Sequence, residues 1–194
     1  MPGSTQAPFA GVAWEEYVLQ GTPASTAVRY ANLPRLVTAS DLGALTTQVM
    51  TSVAIALPAG LRVTNLSFCS GATAAGTPTN WWFALYDTSA TPALIAQTAD
   101  QTSTAWAADT VKTVALSSAY IVPVAGLYYA AIMVKATTPP SLMGLSTGRA
   151  SMAGALGLSM AVLAQTSGSS LTATAPATIA TPTTVATVPW VAVS

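Results

Sequence analysis

The chain has 194 residues, only 6% of them charged; six basic and six acidic side chains cancel, and there is no histidine. An ordinary soluble domain carries about 25% charged residues, so this surface has little of the mutual repulsion that keeps monomers apart. The basic residues are scattered from Arg29 to Arg149 and form no patch, which removes the electrostatic basis for binding nucleic acid.

The first eleven residues, MPGSTQAPFAG, have neither the basic start nor the apolar core of a secretory signal, so a soluble chain made in the cytoplasm is expected. Residues 1–45 hold both glutamates, Glu15 and Glu16, and repeated breakers at Pro2, Pro8, Gly11, Gly21, Pro23 and Pro34. AWEEYVLQ is long enough for one or two helical turns; otherwise this stretch reads as an extended arm. Trp14, Tyr17, Tyr30 and Leu33 are its anchors, on this domain or on a neighbouring subunit.

From Thr47 the pattern changes to period two. Val49, Val53, Ile55 and Leu57 alternate with smaller residues up to Pro58-Ala59-Gly60, which predicts a strand with one face on the core. Further strands are predicted at Leu61–Cys69, Trp81–Asp87, Ala93–Gln97, Val111–Leu116, Gly126–Lys135, Met160–Gln165 and Val185–Val193. The single cysteine, Cys69, has no partner for an internal disulfide and is expected as a small buried hydrophobe. The most apolar run, Met152 to Ala164, is shorter than the roughly 20 residues of a membrane-spanning helix and is broken by Gly154, Gly157 and Ser159. The Thr/Ala/Pro stretch at 166–183 is interleaved with Leu171 and Ile179 and is read as an ordered wall over the fold.

About eight short strands with turn signals between them, no long helical pattern and no fixed repeat predict an all-β protein. The expected architecture is a jelly-roll-like antiparallel β-sandwich over residues 46–194, preceded by the extended N-terminal arm of residues 1–45.

Four pieces in the block Asn80 to Leu142 carry a resemblance. A strand ends in ALYD, a turn and short strand follow, a loop contains AWAA, and GLYYAAIMV follows a proline turn. In that order they resemble a jelly-roll-like module in structural proteins of tailed bacteriophages, especially those of actinobacteria. The closing VPWVAV also fits. The resemblance covers about a third of the chain, and its motifs are mostly scaffold. It implies a virion protein: a capsid decoration protein, a head fibre or a minor tail protein. The chain lacks the coiled-coil or repetitive shaft of long fibres, which favours a compact decoration or tail-surface protein.

Chemistry is sparse. Without histidine, acid–base work falls to carboxylates, Lys, Tyr or Cys. Asp87 with Asp100 or Asp109 could in principle form a hydrolytic pair, but each lies alone in sequence, and turn chemistry is the favoured reading. One cysteine and no histidine exclude the usual zinc sets, and no calcium-loop pattern occurs. No catalytic residue, metal or cofactor is therefore expected. Trp82, Tyr86, Trp106 and Tyr128 are candidates for a subunit interface or, if one sheet face is open, for carbohydrate binding.

The expected protein is thus a non-enzymatic virion component, most simply a capsid decoration protein on the head surface. It would form homo-oligomers, with a trimer favoured, and bind the major capsid protein or other virion proteins, with no nucleic-acid or membrane partner. The alternative is a minor tail or fibre protein binding host-surface carbohydrate; a cellular adhesion or carbohydrate-binding module ranks third.

Overall fold

The alternation in GLYYAAIMVK organises the whole molecule. Gly126–Lys135 forms strand β8 at the centre of a sheet, and both of its faces are buried. Tyr128, Ala130, Ile132 and Val134 point to one core, while Tyr129, Ala131 and Met133 point to a second on the opposite face. A period-two strand with apolar residues in both registers can only be satisfied between two covering layers. The architecture supplies both.

In the computed structural model, residues 30–34, 37–38, 40–158 and 160–194 are described. Their strands are β1 (Tyr30–Ala31), β2 (Ser40–Ala44), β3 (Met50–Leu57), β4 (Arg62–Cys69), β5 (Asn80–Tyr86), β6 (Leu94–Gln97), β7 (Val111–Ile121), β8, β9 (Ser141–Ser146), β10 (Ala164–Ser167), β11 (Thr183–Thr184), β12 (Thr187–Pro189) and β13 (Val191–Val193). Among the described residues there is one short helix, α1, at Ala150–Ala153. Every strand pairing is antiparallel.

A six-stranded sheet in the order β11-β10-β3-β8-β5-β6 packs on a four-stranded sheet in the order β1-β13-β4-β7, with a three-stranded sheet, β12-β9-β2, beside them. The chain passes from β3 to β4 and returns from β7 to β8, and these partners pair in both large sheets. This folded two-stranded ribbon is what makes the sandwich jelly-roll-like. Between the sheets, Phe68, Trp81, Phe83 and Trp106 form an aromatic chain with ring centroids 4.8–5.7 Å apart. Fully burying a side chain of Phe size contributes about 1.5–3 kcal/mol, so this cluster is a principal source of cohesion.

Several predicted elements differ from those observed. β3 is covered on both faces and not on one. β7 runs five residues beyond the predicted Leu116, across a register shift against β4 between Val63 and Asn65. The strand predicted at Met160–Gln165 starts only at Ala164. The last strand is two: β12 pairs with β9, and after Trp190 β13 pairs with β4. Strand β9 was not predicted, because Gly144 interrupts its apolar pattern. That glycine is obligatory, since a Cβ there would meet the Val188 carbonyl and lie 2.7 Å from Leu42 Cδ1 and 2.8 Å from Pro189 Cα.

Part of the stretch expected as an arm lies in the sheets, and residues 1–29 of it lie outside the described residues. β1 pairs with β13 and β2 pairs with β9, so residues from Tyr30 onward take part in the sheets. Asn32 binds the chain's other end. Its Nδ2 donates to the Pro189 carbonyl at 2.9 Å, and its Oδ1 accepts from the Val191 N–H at 2.9 Å.

Candidate functional site

The aromatic residues expected as a binding strip are interior. Alternation along β5 sends Trp81, Phe83 and Leu85 into the sandwich and Trp82, Ala84 and Tyr86 to the outer face of the six-stranded sheet. That outer face is not open, because the Thr/Ala/Pro stretch crosses it as a strap. Leu171, Ala175 and Ile179 pack on Trp82, Tyr86, Tyr129 and Met133, and both Trp82 and Tyr86 are 0% exposed.

The strap is held by polar pins. Trp82 Nε1 donates to the Thr172 carbonyl at 2.6 Å, and Tyr86 Oη donates to the Pro176 carbonyl at 2.8 Å. Ala175 N–H donates to Gln97 Oε1 at 2.7 Å, while Gln48 Nε2 reaches the Leu171 carbonyl at 3.2 Å. Prolines and glycines give the strap no regular strand over most of its length, so its backbone carbonyls need partners. The Trp and Tyr side chains provide them from below. The wall read from the sequence exists, and it removes Trp82 and Tyr86 from any ligand-binding role on the surface.

Trp106 and Tyr128 are interior as well. The loop after β6 carries Trp106 into the main core, where its Nε1 donates to the Thr110 carbonyl at 2.9 Å. Tyr128 faces the same core, stacks edge-on against Tyr120 with centroids 6.1 Å apart, and donates through Oη to the Val124 carbonyl at 3.1 Å. Of the arm anchors, Tyr30 and Leu33 pack partly buried against the protein's own core, and Trp14 and Tyr17 lie outside the described residues, as does the AWEEYVLQ helical turn.

Two of the carboxylates, Asp87 and Asp100, are engaged by backbone donors. Asp87 Oδ1 accepts from Ser89 N–H, Ser89 Oγ and Ala93 N–H at 2.8–3.1 Å, capping the turn between β5 and β6. Burial opposes its charge, yet these three donors hold its carboxyl below the ordinary range. Asp100 accepts from the Trp81 and Thr102 N–H groups and from Asn80 Nδ2. Asp41 is exposed and sits against Gly71, which has no room for a Cβ. Among the described residues, no three acidic, Cys or His side chains converge.

Cys69 is half-buried, not fully buried as expected, because it lies at the end of β4. Burial, and after it the nearby Asp109 carboxylate, push its thiol upward from the usual value, which makes it a poor nucleophile. A cavity of about 130 Å³ between β2, β9 and β10 is lined by uncharged residues, among them Leu42, Thr51, Leu142, Thr166 and Pro189. Among the described residues, no helix is long and apolar enough to cross a membrane.

What the surface does present is apolar. From α1 to the start of β10 five large hydrophobic side chains face solvent: Met152 on α1 (53% exposed) and, in the loop after it, Leu156 (47%), Leu158 (70%), Met160 (55%) and Leu163 (42%). The Leu163 N–H donates to the Ala153 carbonyl at 2.6 Å and closes the loop at its base. The Leu163 carbonyl accepts from Ala54 N–H at 2.9 Å, which sets the loop beside β3. Two residues along β3, exposed Ala56 pairs with exposed Leu127. The sequence reading weighed this run only as a membrane span and a strand, so it missed the surface. The available signal was five large hydrophobics in a glycine-broken run too short for a span.

Comparison with protein-family models finds no match, and comparison with curated proteins finds none either.

Proposed function

We propose that the protein is a non-catalytic structural subunit of a tailed-phage particle, acting as a capsid decoration protein. The observation that carries this reading is the combination of a nearly charge-free chain with exposed apolar side chains on a β-sandwich. Large apolar patches on a folded protein mark contact surfaces, and scarce charge leaves contact between subunits unopposed. The carboxylates of Asp87 and Asp100 are taken up by backbone N–H groups, which also favours a structural over a hydrolytic role.

In this role the protein works by repetition. Each copy buries a modest apolar area across the boundary between shell subunits, at about 25 cal/mol per Å². Many such contacts on one shell resist internal pressure even where one copy binds weakly. The minor-tail reading relied on exposed aromatics for carbohydrate, and Trp82, Tyr86 and Trp106 are enclosed.

Cryo-electron microscopy of the particle that carries this chain tests the proposal. Ordered copies distributed over the head are the expected result. Density confined to the tail would move the protein to the tail surface, and absence from the particle would end the virion reading.

A further inference from the structure

We infer that the apolar loop between α1 and β10 is the contact through which copies of this chain assemble, loop against loop around a symmetry axis. The inference rests on the reading of the protein as an assembling subunit, but not on which particle it joins.

The loop is built to stay outside its own domain. Ala153 is buried and the Leu163–Ala153 hydrogen bond closes the base, so the ends are fixed to the sandwich. Between them Leu156 has φ 48° and Gly157 φ 67°, a left-handed turn that a bulky leucine rarely adopts. The turn leaves Leu156, Leu158 and Met160 exposed, outside both apolar cores formed by the described residues. Five large side chains exposed by about half each present a few hundred Å² of apolar surface, the scale at which a patch marks a contact. This is a substantial part of the roughly 800 Å² that each partner buries in a stable interface, and Ala56 and Leu127 extend it.

Charge selects a second copy as the occupant. At a symmetry axis a residue meets its own image, so any ionised side chain there faces a like charge. From Ala150 to the C-terminal Ser194 there is no Asp, Glu, Lys or Arg. The loop can therefore meet itself without electrostatic cost, and its two methionines adapt to an imperfect fit. A bilayer is the poorer match. Interfacial membrane segments pair their apolar face with several basic residues and aromatic anchors, and residues 150–163 contain neither.

The test uses the full chain. Sedimentation analysis at micromolar concentration should find the native protein as a closed oligomer. The double variant Leu158→Asp, Met160→Asp should dissociate at least about tenfold more readily, with unchanged circular dichroism, because both side chains are exposed. In a Cys69→Ser background, Leu158→Cys should form an intermolecular disulfide under mild oxidation, a readout that does not depend on weakening the assembly. A double variant that keeps the native oligomeric mass, with no cross-link at position 158, would overturn the loop contact while leaving the subunit reading intact. A native chain that is monomeric yet sediments with neutral phosphatidylcholine vesicles would overturn it in favour of a bilayer. A native monomer that binds neither vesicles nor itself would overturn it too, and particle association by co-sedimentation then decides the proposed function separately.

Discussion

The indole N–H of Trp82 donates to the Thr172 carbonyl at 2.6 Å across ninety residues of chain, joining strand β5 of the six-stranded sheet to the strap that covers it. The bond has two consequences. It satisfies a strap carbonyl, and it holds the indole beneath the strap, where it is fully buried.

Replacing Trp82 with Phe keeps most of the packing and removes the donor. The expected cost is about 1–3 kcal/mol, the range for leaving a buried carbonyl without its partner. Chemical denaturation measures the loss. Hydrogen exchange should localise it, with faster exchange at Ala175 and Ile179 and little change in β4. Equal loosening throughout the sandwich would mean that the strap is not a separable layer.

Asn32 separates two truncations. Removing residues 1–29 leaves β1, β2 and the Asn32 bonds to Pro189 and Val191 in place, and the sandwich is expected to stay folded. Removing residues 1–45 takes away both strands and exposes the edge of β13, so this variant should lose cooperative unfolding or aggregate. Asn32→Ala alone should cost about 1–3 kcal/mol. Thermal melts of the three variants compare them directly.

Gly144→Ala should be among the most damaging single-methyl changes in the chain. The new Cβ would run into the backbone of β12, where nothing short of separating β12 from β9 can relieve it. Overpacking of this kind costs about 1–3 kcal/mol or more. Gly126→Ala, with nothing near its would-be Cβ, is the control and should have little effect on the melting temperature.

The pH dependence has a definite sign at each end. Burial holds the Tyr86 phenol, and that of Tyr129, above the ordinary value of 10.0, so the folded state retains protons that the unfolded chain releases. The stability from these groups is fully present below pH 10 and falls as pH rises beyond it. At the acid end Asp87 is held low, so its contribution is present above about pH 4 and is lost as pH falls through its folded value. With no histidine, the stability curve should be nearly flat from there up to about pH 9, where the raised Cys69 thiol starts its own fall before the tyrosines add theirs. Denaturant midpoints measured from pH 3 to about pH 11 test it. Tyr86→Phe should reduce the alkaline fall; an unchanged fall would assign it to other groups.

Strand periodicity alone located β3, β4, β5, β6 and β8 to within about two residues, because each is a run of alternating β-formers bounded by turn residues. The all-β class and the sandwich followed from the same pattern. Low charge and absent histidine were equally legible, since they depend on residue counts and not on placement.

Placement needed the tertiary structure. Whether Trp82 and Tyr86 face solvent or a cover depends on a strap about ninety residues away whose own sequence has no strand or helix period. Strand β9 hides behind Gly144 because its fitness lies in a close approach to β12, a long-range fact. The exposed loop from Met152 to Leu163 looks like core by composition, and only its φ values and base hydrogen bond put it outside. Local periodicity determines which segments become strands. Which of their faces is left over is decided by contacts between residues far apart in the chain, and the exposed apolar surface of this protein is such a remainder.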